Sequence, residues 1–263
     1  MEFTIIQKEL NEILNYSMLG GTFSFCPFEV KKYENGTALR SLQSNENNTV
    51  FKYARFNKDY FKSLSSEEET IYLNAEKLQK IIQREDADAI IHAHTEGDEK
   101  FVVEGARSKT TLNLIENIAG ARSKLPFKID KDGMVTFPKI AGALENKVTM
   151  GTKSFKTIVE YAGILETGKY KFQIDQNKKF VVRIGELEKH KEFTVYEPQA
   201  TIDRYKSPVT CVISLAMKEM AHTFLNDISV QMTTGQPAFF SEESHKHKFG
   251  VVVSPYDESQ AGN

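Results

Sequence analysis

The sequence predicts an α+β protein of two similar domains, each with antiparallel sheets that carry two helices on one face. Three observations lead there. Four short segments keep a helical spacing of apolar residues, and they fall into two pairs: the first and third lie about 145 residues apart, the second and fourth about 140. The stretches between them alternate β-branched or aromatic runs with turn residues. Finally, 263 residues with 40% hydrophobic content exceed one ordinary domain and suffice for packed cores.

The helices are justified by their stripes. Gln7 to Leu19 places Leu10, Ile13 and Leu14 on one side, and Asn74 to Arg84 does the same with Ala75, Leu78, Ile81 and Ile82. Thr152 to Ile164 aligns Phe155, Ile158, Val159 and Ala162; Leu215 to Phe224 aligns Met217, Met220, Ala221 and Phe224. Strands are expected at 22–33, 37–42, 49–56, 69–73, 89–94 and 100–104 in the first half. In the second they fall at 170–175, 179–184, 193–196, 209–214, 228–232, 238–242 and 249–254. Asn35-Gly36, Gly97-Asp98, Gln176-Asn177 and Gly235-Gln236-Pro237 supply turns. Between the halves, Gly120, Pro126, Gly133, Pro138 and Gly142 mark an extended connector. The expected domains are therefore 1–118 and 147–256, joined by a connector at 119–146 and followed by a loose tail at 257–263.

Composition narrows function by exclusion. Net charge is −2, from 34 basic and 36 acidic side chains, so the chain as a whole does not attract polyanions. Two cysteines, Cys26 and Cys211, allow neither a disulfide framework nor a four-thiolate zinc site. No long apolar run or basic leader precedes the first helix, and an intracellular, reducing location is expected. The phosphate loops G-x-x-x-x-G-K-[ST] and G-x-G-x-x-G, the elbow G-x-S-x-G and the zinc helix H-E-x-x-H are all missing, so no catalytic residue, metal or cofactor is assigned.

One enzyme-like pattern stands out. His92 and His94 alternate on a strand and precede Glu99, an arrangement that resembles the metal motif of cupins and offers the alternative of a metal-dependent enzyme. It departs from that pattern in spacing, since five residues separate Glu99 from Gly105 where six are usual. A second pair, His245 and His247, is flanked by Lys246 and Lys248, which would repel a cation.

The polar faces of the helices carry a different signal. Lys77, Lys80 and Arg84 lie opposite the second stripe, Lys153 and Lys156 flank Phe155, and Lys218 and His222 lie opposite the fourth stripe. Basic faces recurring in both halves suit a polyanion read without sequence preference.

The order of elements and three strings resemble the sliding-clamp family of proliferating cell nuclear antigen. The strings are Asn35-Gly36-Thr37-Ala38-Leu39-Arg40-Ser41-Leu42-Gln43-Ser44, Val148 to Phe155, and Pro237-Ala238-Phe239-Phe240 followed by Phe249 to Pro255. The resemblance implies a homotrimeric ring around duplex DNA, helices inward and sheets outward, that tethers a DNA polymerase, a clamp loader and other replication or repair factors. It also implies a non-enzymatic processivity factor, at work in a nucleoid, a nucleus or a viral replication site. A checkpoint-type scaffold of the same fold is the further alternative. DNA-facing positions carried over are Lys77, Lys80, Arg84, Lys153, Lys156, Lys218 and His222, with Lys8, Asn11 and Asn15 on the first helix. That helix also carries Glu12 and is less basic than the family pattern. The pocket that accepts hydrophobic partner peptides corresponds to Leu42, Val50, Ile140, Pro237, Val253, Ser254 and Pro255. Ring closure by edge pairing is expected to use strands near Lys109 to Leu114 and near Lys171 to Asp175.

Overall fold

The computed structural model describes residues 1–138, 142–185 and 192–256. The chain divides into two compact units: Met1–Lys124 together with Glu243–Phe249, and Leu125–Glu242 together with the chain from Gly250 onward.

The first unit runs β1 (Glu2–Ile6), α1 (Gln7–Met18), β2 (Phe25–Tyr33), β3 (Gly36–Ser44), β4 (Val50–Asn57), β5 (Phe61–Leu64), β6 (Glu69–Asn74), α2 (Ala75–Ile82), β7 (Ile90–Glu96), β8 (Lys100–Glu104) and β9 (Lys109–Asn113). One sheet has the order β5-β1-β7-β8-β9, and β4-β3-β2-β6 are neighbours in another. Helix α1 begins directly on β1, where the backbone N–H groups of Gln7 and Lys8 donate to Ala89 O and Ala87 O. It stops because Leu19 turns left-handed at φ 47°, with Gly20 and Gly21 also at positive φ. Helix α2 begins on an N-cap, since the Asn74 side-chain oxygen accepts from Lys77 N at 2.8 Å.

The second unit runs β10 (Lys128–Ile129), β11 (Val135–Phe137), β12 (Gly142–Ala143), β13 (Asn146–Met150), α3 (Thr152–Ile164), β14 (Tyr170–Ile174), β15 (Phe180–Gly185), β16 (Phe193–Tyr196), β17 (Ala200–Arg204), β18 (Val209–Ile213), α4 (Met217–Thr223), β19 (Ile228–Met232), β20 (Ala238–Glu243) and β21 (His247–Val253), the last of which gives its first three residues, His247 to Phe249, to the first unit. Its sheets have the orders β16-β15-β14-β18 and β17-β13-β19-β20-β21, with β10-β11-β12 as a small third. The connector is thus partly sheet. Asp130 shapes its turn by accepting from Asp132 N and Met134 N, both at 2.9 Å.

Each helix pair buries most of the stripe read from sequence, while Ile81 and Val159 are only half-buried. In the first unit Leu10, Ile13, Leu14 and Leu78 are at most 2% exposed, and Tyr16 packs on Phe249 with ring centroids 5.0 Å apart. In the second, Phe155 lies 6.1 Å from Phe224 and 5.9 Å from Phe240, closing a core over β14 through Phe172. Full burial of one such ring stabilises by about 2–3 kcal/mol.

Three expectations need correction. The segment near Lys171 to Asp175 is not an edge, because β14 lies between β15 and β18; the sheet ends at β16 on one side and β18 on the other. The fourth helix is shorter than 215–224, since Ala216 turns left-handed at φ 58° and leaves Leu215 exposed before the first turn. Strands β1, β5 and β17, and the three short connector strands β10, β11 and β12, fall outside the expected set. The expected edge at β9 does end its sheet.

Candidate nucleic-acid interface and docking residues

The helices separate apolar from basic residues as an amphipathic period dictates. On α2, Ala75, Leu78 and Ile82 are buried while Lys77, Lys80 and Arg84 are exposed. Arg84 sits just beyond the helix, its N–H donating to Ile81 O at 3.1 Å. Lys80 bridges to Glu76 at 2.5 Å one turn away. The hydrogen bond from Lys80 is the largest influence holding the Glu76 carboxyl below its ordinary range. An exposed i,i+4 pair of this kind contributes little net stability, so Lys80 remains able to exchange partners. On α3, Lys153 and Lys156 are exposed over buried Phe155, Ile158 and Ala162; on α4, Lys218 and His222 are exposed over buried Met217 and Met220. Lys77, Arg84, Lys153, Lys156 and Lys218 make no ion pair among the described residues.

Helix α1 differs. Lys8 is exposed, but Asn11 and Asn15 are only half-exposed. The Asn11 side-chain oxygen accepts from Gln79 Nε2 at 3.0 Å and Gln83 Nε2 at 3.3 Å, which ties α1 to α2. Its carboxylates are also engaged: Glu9 pairs with Lys246 at 2.5 Å and Glu12 accepts from the Tyr60 hydroxyl at 3.4 Å. Lys246 thus offsets the charge of Glu9 within the unit, whereas Glu12 gains only a neutral hydrogen bond.

The expected docking residues divide between the units. Leu42 and Val50 are 2% and 4% exposed in the first; Pro237 and Val253 are buried, and Ser254 and Pro255 half-buried, in the second. Ile140 lies outside the described residues. Leu42 is held beneath the start of the connector, its carbonyl accepting from Arg122 N at 3.1 Å.

The histidine motif forms no three-ligand cluster, and among the described residues no group of three or more histidine, cysteine, aspartate or glutamate side chains could hold a metal. His92 is engaged through Nδ1 with Thr4 Oγ1 at 3.1 Å and faces Glu104 across the β7–β8 ladder, while Glu99 is exposed at the turn. Nor is the fold the barrel that the cupin alternative requires, because these strands belong to an open five-stranded sheet. His247, from the second pair, is buried against Tyr16 and Tyr60, its Nδ1 lying 2.9 Å from the Tyr60 hydroxyl.

Two features were missed from sequence. Strand β16 presents Phe193 at 54% and Val195 at 46% exposure on a free edge. Lys52, in the middle of β4, is fully buried, its ammonium 2.5 Å from Ser41 Oγ and 5.6 Å from the centre of the Phe23 ring. Burial lowers the Lys52 amine to about 8, against a smaller opposing influence of Cys26. Burial likewise pushes the Cys211 thiol up to about 12, so it is an inert core thiol.

This arrangement of helix pairs on antiparallel sheets, repeated in both halves, is the fold of the DNA sliding clamps. The likeness spans nearly the whole chain. The archaeal clamp of A. fulgidus, solved with the C-terminal region of FEN-1 bound, matches with a TM-score of 0.74 and 14% identity over 98% of this chain and 99% of its own. The clamp of Thermococcus kodakaraensis gives 0.73 and 11% over 97% and 99%, and that of Entamoeba histolytica 0.72 and 12% over 97% and 98%. No protein-family model matches the sequence, and no curated protein matches it.

Proposed function

We propose that the protein is a DNA sliding clamp, a non-enzymatic ring that encircles duplex DNA and tethers a polymerase and other replication or repair factors. The observation that carries this reading is the conjunction of a full-length clamp fold with exposed cations, on three of its four helices, that make no ion pair among the described residues. Lys77, Lys80, Arg84, Lys153, Lys156, Lys218, His222 and Lys8 would meet phosphates rather than read bases. Asn11 and Asn15 contribute less, since Asn11 is engaged with α2. A net charge of −2 suits the mechanism: enclosure replaces tight binding, and a few salt-sensitive phosphate contacts let the ring slide.

Ring closure is assigned to the free edges β9 and β16, where Phe193 and Val195 supply apolar surface for a neighbouring subunit; a homotrimer is the expected assembly. Leu42, Val50, Ile140, Pro237, Val253, Ser254 and Pro255 are proposed to receive the hydrophobic peptides of the polymerase, the clamp loader and other factors. The expected site of action is intracellular, wherever the genome is replicated. Protein assembled on nicked circular DNA should be retained through gel filtration and released when the circle is linearised. Equal retention on both forms would refute enclosure. Enclosure without stimulation of any polymerase would favour a checkpoint-type scaffold.

A further inference from the structure

The chain leaving α2 does more than present Arg84. Glu85 N donates to Ile82 O at 3.0 Å, and the turn that leaves Arg84 exposed carries the Glu85 side chain inward, where the residue is 7% exposed. Its carboxylate reaches the turn between β8 and β9. One oxygen accepts from Ser108 Oγ at 2.6 Å and the other from Arg107 N at 3.2 Å. That turn is closed by Gly105 N, which donates to Ser108 O at 2.8 Å. The approach requires glycine at 105, because a Cβ there would lie 2.5 Å from the Glu85 carboxyl carbon and 2.6 Å from its Oε1. The segment is anchored from behind as well: Lys8 N and Gln7 N donate to Ala87 O and Ala89 O, and Gln7 Nε2 donates to Ile82 O at 3.0 Å. Glu85 is thus a buried carboxylate on a frame tied to both helices, with each oxygen bonded to one turn.

What that turn carries is the free edge β9. Pairing with β8 runs from Glu104↔Lys109 to Lys100↔Asn113. Within Lys109–Asn113 only Leu112 is buried, so burial specifies the register of β9 weakly. Turn geometry has to supply the rest. A slip of one residue would bring Thr111 inward in place of Leu112 and would turn a different row of N–H and C=O groups to the edge. The ion pairs nearby are poorly suited to prevent it, since Lys109–Glu104 at 2.6 Å and Arg107–Asp86 at 2.7 Å are both exposed.

We propose that Glu85 is a positioning residue: it fixes the β8–β9 turn and so presents β9 in the register that a neighbouring subunit pairs with. The inference rests on the assignment of β9 to ring closure. Adjacent residues of one turn then serve two surfaces, Arg84 the polyanion and Glu85 the edge.

The test uses the full chain and reads two quantities, amide hydrogen exchange along 107–113 and the dissociation constant of the assembly from light scattering on dilution. Glu85→Ala should speed exchange at Arg107 and along β9 roughly tenfold and weaken assembly by about the same factor, as loss of hydrogen bonds to a charged group does. Amides of α1 should not change. Glu85→Gln can still accept from Arg107 N and can donate to Ser108 Oγ, so it should restore both quantities to within about threefold of wild type. Gly105→Ala should reproduce Glu85→Ala, because the added methyl displaces the carboxylate, and should add nothing in the Glu85→Ala background. It also carries the comparison if Glu85→Ala fails to fold. Arg107→Ala keeps the backbone N–H and should alter neither quantity. Additive effects of Glu85→Ala and Gly105→Ala, exchange that rises in α1 as much as in β9, or faster exchange with unchanged assembly would overturn the proposal. Unaltered exchange in Glu85→Ala beside intact wild-type assembly would overturn it alone, whereas a wild type that stays monomeric at micromolar concentration would refute ring closure and remove the partner of β9 with it.

Discussion

Replacing Lys52 by methionine should make the protein more stable at neutral pH and less dependent on pH. The ammonium is fully buried with one hydrogen-bond partner, and its pKa falls from 10.5 to about 8. At about 1.4 kcal/mol per pKa unit, keeping it protonated in the fold at pH 7 costs about 3 kcal/mol. Methionine removes that cost and fills a similar volume. It also removes the bond to Ser41, about 1 kcal/mol, and the attraction to the Phe23 ring, about 0.5–1 kcal/mol. The net gain is about 1–2 kcal/mol at pH 7, measured as a higher unfolding midpoint in urea. The pH dependence follows from the direction of the shift. Between pH 8 and 10.5 the unfolded chain binds a proton that the folded chain has released, so Lys52 makes wild-type stability rise with pH through that window. Below pH 8 the full penalty applies. The advantage of Lys52→Met should therefore shrink by about 2 kcal/mol from pH 7 to pH 9.5 and approach zero. Titration of Tyr53 affects both proteins and largely cancels in the difference, whereas Cys26, whose thiol is pushed up by burial and drawn down in part by Lys52, rises further once the lysine is gone. A Met variant less stable than wild type at pH 7, or a difference constant across this range, would refute the reasoning.

Three further outcomes are expected. Gly120→Ala should destabilise by more than about 2 kcal/mol in chemical denaturation, because positive φ and the contact with Ser44 O both oppose a Cβ. Replacing Lys77, Lys80 and Arg84 together by alanine should leave the thermal midpoint nearly unchanged, each substitution staying within about 0.5 kcal/mol, while lowering retention on circular DNA and its sensitivity to salt. Phe193→Asp should leave the monomer folded but lower the assembly mass seen by light scattering, since a charge on the β16 edge disfavours a neighbouring strand.

How much of this was legible in sequence depended on whether neighbours in the chain or distant partners decide a residue's place. Helix α3 is found at Thr152–Ile164, because its stripe of Phe155, Ile158 and Ala162 is local. Strand β1 was not expected, since Phe3-Thr4-Ile5-Ile6 runs into α1 with no turn residue between them, and only its pairing with β5 and β7 defines it. The sequence points to an edge near Lys171 rather than at β16 because strand order is set by β18, some 40 residues further along the chain. The exposure of Phe193 and Val195 was hidden for the same reason: alternation says that they share a face, not which face lacks a cover. Lys52 could have been read. In Val50-Phe51-Lys52-Tyr53-Ala54-Arg55-Phe56 a period of two places it on the same face as Val50, Ala54 and Phe56, and a lysine on such a face is either mispaired or buried. The basic helix faces were visible in sequence, whereas the engagement of Asn11 by Gln79 and Gln83 needed the fold.

That amide bracket between α1 and α2 has a consequence for working conditions. Asn11, Gln79 and Gln83 carry no charge and do not titrate, so the stitch holding the two helices in register is indifferent to added electrolyte and to acidity. The cations beside it are not. Raising ionic strength should therefore ease friction against a polyelectrolyte while the frame that presents those cations keeps its spacing, so lubrication and rigidity can be tuned apart.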